Sequence, residues 1–146
     1  MSRTVISRYA RNDKTLFIMN TAKIFIALGS LNAMLAVMLG AYGAHGLKGK
    51  LAEHMFSMYQ TGVQYHFYHS LGLIIVGLVI LQKIDSVWTE FAGWLMLAGI
   101  LLFSGSLYLI STFHVHQPGE IAATGGMAFI FAWLALFIGI IRSKTS

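Results

Sequence analysis

The chain contains no cysteine. Disulfide frameworks, thiolate nucleophiles, cysteine-ligated zinc, iron–sulfur clusters and covalent haem attachment are therefore excluded. Charge is nearly as scarce: 10% of the 146 residues are Asp, Glu, Lys or Arg, against about 25% in an ordinary globular chain. Hydrophobic residues make up 57%, and the mean hydropathy is +0.71. So few charges cannot cover a soluble fold, which points to a lipid-facing surface. Acids are the scarcest charged type. Asp13, Glu53, Asp85, Glu90 and Glu120 all fall in tails, loops or helix ends, so a proton-relay pump or a di-iron carboxylate centre lacks the buried acids it needs. The single proline, Pro118, and the lack of an inverted repeat argue against a transporter built from broken helices.

Four stretches free of Asp, Glu, Lys and Arg remain, at residues 24–44, 62–82, 91–113 and 121–141. Each holds about twenty residues, the length that crosses a hydrocarbon core of about 30 Å. Backbone groups in lipid must be satisfied within the segment, so these read as helices. The expected fold is all-α: one four-helix transmembrane bundle. In the first outer loop, Leu47, Leu51, Met55, Met58 and Tyr59 recur at helical spacing, with Lys48, Lys50 and Glu53 elsewhere around the turn. This predicts a short interfacial helix there, with a plain re-entrant connector as the alternative.

Lys and Arg set the orientation. Arg3, Arg8, Arg11, Lys14 and Lys23 precede the first span, Lys83 lies in the second loop, and Arg142 and Lys144 follow the last span. The opposite side carries only Lys48 and Lys50. The positive-inside rule puts both termini in the cytoplasm. The net charge of +5 then reflects topology and anionic headgroups, not nucleic acid. Residues 1–20 read as a flexible basic cytoplasmic extension and residues 21–146 as the membrane domain, with Met1 and Met19 both open as the start. "GAYGAHG" would suit signal-peptide cleavage, but the apolar run is longer than an h-region and three spans follow.

Small residues recur where helices could approach closely: Ala36, Gly40 and Ala44 in the first span, Gly62 and Gly72 in the second, Gly105 in the third, and Ala128, Ala132 and Gly139 in the fourth. Packing within one bundle is the plainer reading and dimerisation the sharper one. Trp88 and Trp94 suit interface anchors at the cytoplasmic end of the third span, while Trp133 is mid-span.

All six histidines, His45, His54, His66, His69, His114 and His116, map to the outer side. The segment "QYHFYH" at residues 64–69 opens the second span. Gly62, Tyr65, His69 and Gly72 share one helical face, which aims Tyr65 and His69 at Ser104 or Tyr108 of the third span or Asn32 of the first. The bland reading is an interhelical hydrogen-bond clasp, worth about 0.6 kcal/mol per bond. The functional reading is an outer-leaflet pocket lined by His45, Tyr65, His69, Ser104, Ser106 and Tyr108, holding a quinone-like head group, a lipid or a metal. His114 and His116 form a weak copper or zinc pair beside the alternative of a solvated turn before Pro118. Grouping His45, His54, His66 and His116 in one metal site is open geometrically. A bis-histidine haem would require a deep partner for His69, and none is in view.

"LGAYGAHGLK" at residues 39–48, "TGVQYHFYHSLGL" at 61–73 and "LFSGSLYLI" at 102–110 resemble the signature segments of the domain-of-unknown-function four-two-three family, the YwdK/YgdD-like small bacterial inner-membrane proteins. The resemblance covers most of the span region. It implies a four-helix integral membrane protein of the inner membrane and a start near Met19. It carries over Gly43, His45, Gly46, Lys48, Gln64, Tyr65, Tyr68, His69, Ser104, Gly105, Ser106 and Tyr108. It implies no activity, and it lends no support to a metal role for His114 and His116. The expectation is a structural or accessory subunit, or a stabilising factor of the membrane or of a membrane complex. Its partners would be the lipid bilayer and a larger complex or a second copy. The cofactor is left open, and no nucleophile–base pair marks an enzyme.

Overall fold

The computed structural model describes residues 3–82, 84, 86–113 and 119–143. They form helices and short connections, with no strand among the described residues. Helix α1 runs Arg3–Tyr42 and closes in a π turn, Gly43–Leu47. α2 is Glu53–Leu81 and α3 is Val87–Gly99. A second π turn, Ile100–Ser104, joins α3 to α4, Gly105–Phe113, and α5 is Gly119–Arg142. Among the described residues, four helical runs are long and apolar enough to cross a membrane: Ile18–Leu47, Glu53–Leu81, Val87–Phe113 and Glu120–Arg142. The fold is all-α with four spans, and no proline interrupts a backbone ladder inside any of them.

α1 begins at Arg3, so residues 3–20 are helical. Residues 3–28 contain neither glycine nor proline to stop the helix. One local expectation changes: the first loop holds no separate interfacial helix. Met55, Met58 and Tyr59 belong to the first turns of α2, because their spacing runs in phase with the second span. The connection itself is a tight turn. Gly49 takes φ 79°, the left-handed region that glycine tolerates. The amides of Lys48 and Lys50 donate to Gly43 O at 3.0 Å and Leu47 O at 2.9 Å. At the other end of the bundle, Ser86 caps α3: its Oγ accepts from Thr89 N at 3.2 Å while Thr89 Oγ1 accepts from Ser86 N at 3.0 Å.

α1 and α2 pack along an antiparallel seam. On α1 the small residues Ala22, Gly29, Ala36 and Gly43 are buried at every seventh position. On α2, Tyr59, Gly62, His66, His69, Leu73, Val76 and Ile80 are buried at alternating steps of three and four. This is the 3.5-residue period of a left-handed coiled coil. The backbones nearly touch: a Cβ on Gly77 would lie 2.8 Å from Ala22 O, and one on Gly29 2.8 Å from Ser70 O. Such approach supplies dispersion contacts where lipid offers no hydrophobic drive.

The apolar core lies toward the Ser86 end, where Phe25, Leu73, Val76, Ile80, Met96, Ala132 and Leu136 pack together. The third span divides its partners at the π turn, with α3 packing mainly on α5 and α4 mainly on α2. Leu31, Val37, Met38, Leu101, Phe137 and Ile141 are exposed, so the outward surface is apolar. The half of the bundle toward Gly49 holds most of the buried polar groups, with Thr21 and Thr89 at the other end.

Candidate functional site

His66 sits on the α2 seam and is 6% exposed. Its Nδ1 lies 3.2 Å from the Tyr108 hydroxyl on α4, and its Nε2 lies 3.1 Å from Asn32 Oδ1 on α1. The proton order follows from the far end. Asn32 Nδ2 donates to Leu28 O at 2.8 Å, so the amide oxygen faces His66. Nε2 must then carry the proton and donate, which leaves Nδ1 to accept from the Tyr108 hydroxyl. The result is a neutral, one-directional chain, Tyr108 to His66 to Asn32 to the α1 backbone, across three helices. Beside it, Tyr59 Oη donates to Leu39 O at 2.7 Å, and its ring centroid is 5.2 Å from that of Tyr108.

His69 lies about one turn deeper and behaves differently. Its ring stacks on Phe129 of α5, with centroids 3.4 Å apart and planes 13° from parallel. Its Nδ1 donates to Tyr65 O at 2.8 Å. A carbonyl can only accept, so Nδ1 holds the proton and the Nε2 lone pair is left over. Tyr65 is 40% exposed; its ring flanks His69 at 5.8 Å and Phe103 at 4.9 Å. The nearby serines mostly satisfy themselves on the preceding turn. Ser70, Ser106 and Ser111 donate to His66 O at 2.6 Å, Leu102 O at 2.5 Å and Leu107 O at 2.6 Å. Ser104, at the end of the π turn, is fully buried and its Oγ has no partner. π turns recur at functional positions in helices.

The residues singled out from sequence are therefore divided. Tyr65 joins His69, and Tyr108 joins His66, a residue outside the proposed pocket lining. Ser104 and Ser106 share the third span, where Ser106 is tied to its own helix. His45 is exposed in the closing π turn of α1 and His54 is exposed in the first turn of α2. Neither joins the cluster's hydrogen bonds. His114 and His116 lie outside the described residues. Among the described residues, no group of three or more His, Asp or Glu could hold one metal ion.

Of the small residues, Gly62 meets Tyr108 and Leu107, Gly72 meets Met96 and Trp133, Gly139 meets Thr89, and Gly40 faces Val63. Ala36 and Ala132 are buried and Ala128 is half-buried. Ala44 is exposed, and Gly105 has open space around it. The close approaches to other helices that a four-residue spacing missed are at Gly29, Gly43, Gly77, Gly93, Gly99 and Gly125. Counting threes and fours along α2 would have found His66, and counting sevens along α1 would have found Gly29 and Gly43.

The family model described as "Protein of unknown function (DUF423)" matches residues 39–126, which include both histidines and the third-span cluster. The UPF0382 membrane protein YwdK of Bacillus subtilis is 50% identical over 122 residues, covering 82% of this chain and 98% of that protein. The UPF0382 membrane protein SERP0230 of Staphylococcus epidermidis is 45% identical, and SAB0533 of Staphylococcus aureus 43%, each over 120 residues covering 82% of this chain and 97% of the relative. No solved structure matches significantly.

Proposed function

The chain belongs to the DUF423 family and is a multi-pass membrane protein, and from that premise we propose that it serves as a structural or accessory subunit of the bacterial inner membrane. It acts by helix packing, as a stabilising factor for the membrane or for a larger complex, with both termini in the cytoplasm. The observation that carries this reading is how the buried polar atoms are spent. His66, Asn32 and Tyr108 satisfy one another across three helices, as a clasp does. No carboxylate enters the cluster, so it lacks the acid that would move protons through it. The clustering of Lys and Arg around the termini supports the orientation.

A second reading rests on the two atoms left over. Ser104 Oγ is buried without a partner and the His69 Nε2 lone pair is unused; a small hydrogen-bonding head group at either one would make this half of the bundle a binding module.

Gentle extraction from the native membrane, followed by native mass spectrometry and metal analysis of the same sample, separates the two. A larger co-purifying protein supports the accessory role. A lone chain carrying a stoichiometric quinone or metal overturns it in favour of the binding module.

A further inference from the structure

Lys48 is out of place on two counts. It belongs to the side of the protein that the positive-inside rule leaves poor in cations. It also has no acidic partner: among the described residues it makes no ion pair or side-chain hydrogen bond. It stands at the mouth of a cleft of about 250 Å³ between α1 and α2, walled by Gly40, Gly43, Tyr59, Gln60 and Gln64. A second cleft of about 260 Å³ continues from it along the same two helices. The two share Gly40, Val63 and Gln64, and the second adds the apolar walls of Ala36, Val37 and Phe67. Together they make one groove. From Ala36 to Lys48 it runs about 18 Å at 1.5 Å per residue, close to one leaflet of a hydrocarbon core about 30 Å thick.

The groove is graded along its length. At the Gly49 end it offers an ammonium and two carboxamides, Gln60 and Gln64, whose side chains also make no hydrogen bond among the described residues. Deeper, its walls are mostly apolar, with the Tyr68 ring beside Val37, Val63 and Phe67. An unpartnered amide facing lipid is costly, and an unpaired cation at the membrane surface attracts anionic headgroups. We propose that this groove holds one anionic phospholipid, with its phosphate at Lys48, Gln60 and Gln64 and one acyl chain lying along Gly40, Val37 and Phe67. Bound there, the lipid satisfies all three polar side chains. The site is separate from the His66 clasp and does not depend on the accessory role.

The test uses the full chain purified in neutral detergent. Phosphatidylglycerol or phosphatidylcholine is added, and retention is read by native mass spectrometry. One phosphatidylglycerol should be retained per chain, in preference to phosphatidylcholine. Lys48→Gln should weaken that binding about five-fold, the size of one juxtamembrane lysine. Lys50→Gln, a neighbouring charge outside the groove, should leave it unchanged. Gly40→Leu, whose Cβ starts 3.3 Å from Val63 Cγ1, should fill the groove and abolish retention. Equal retention of both lipids, equal effects of the two lysine variants, or a dimer whose interface excludes the lipid would each overturn the proposal. The lysine comparison decides the matter even if Gly40→Leu fails to fold.

Discussion

Replacing His66 by phenylalanine keeps a flat ring of similar size and removes both polar atoms. Two interhelical hydrogen bonds disappear, at 3.2 Å to Tyr108 and 3.1 Å to Asn32. At about 0.6 kcal/mol each, the typical value inside membranes, the bonds alone amount to about 1.2 kcal/mol. The substitution also strands Asn32 Oδ1 and the Tyr108 hydroxyl, which raises the expected loss toward about 3 kcal/mol. His69→Phe is the matched control. It loses one bond within α2 and keeps its stack on Phe129, so it should cost less than His66→Phe. Equilibrium unfolding in mixed micelles, followed by helical circular dichroism, reads both. A double-mutant cycle of His66→Phe with Asn32→Leu should return a coupling of about 0.6 kcal/mol. A His66→Phe protein with wild-type stability, or a cycle with no coupling, would refute the clasp.

The tautomers provide a test without mutation. Nitrogen NMR should find the His66 proton on Nε2 and the His69 proton on Nδ1, and the same tautomer at both sites would contradict the hydrogen-bond order. Gly77→Ala places a Cβ 2.8 Å from Ala22 O, so it should separate α1 from α2 and lower stability by about 1–3 kcal/mol. Gly105→Ala meets nothing within 4 Å and should be neutral or stabilising by up to about 1 kcal/mol in thermal unfolding. The absence of native cysteine makes topology simple to read. In intact cells, Lys50→Cys should react with an impermeant thiol reagent and Ser143→Cys should not; the reverse pattern would invert the proposed orientation.

The four spans were legible because the hydropathy of lipid-crossing helices leaves little choice of structure. The extent of α1 was not, because polar residues such as Asn12 and Lys14 read as a tail while the backbone sees only the lack of a breaker. The polar half was half legible. A face drawn through Gly62, Tyr65, His69 and Gly72 reaches the buried His69 but passes over the buried His66. The packed seam steps by three and then four, and that one-residue difference puts His66 inside and leaves Tyr65 40% exposed. Small residues misled in the same way. Gly40 and Ala44 follow Ala36 at steps of four, whereas the buried neighbour is Gly43, seven along, which lies under the Tyr59 ring. Nothing in the sequence marks the π turn at Ile100–Ser104, since that extra residue is chosen by how two packing surfaces meet.

That π turn works as a phase shifter. Each residue of an α-helix turns the chain by about 100°, and a span with one residue too many for its turns has its far half rotated relative to its near half. Up to Gly99 the third span is geared to α5, and beyond Ser104 it is geared to α2. One helix thus meshes with two neighbours that a straight rod could not serve together. The aim of Tyr108 is set here, so the angular tuning of the clasp depends on residues that never touch it. Deleting a single residue between Ile100 and Ser104 would leave the span long enough to cross the membrane while turning the hydroxyl away from His66.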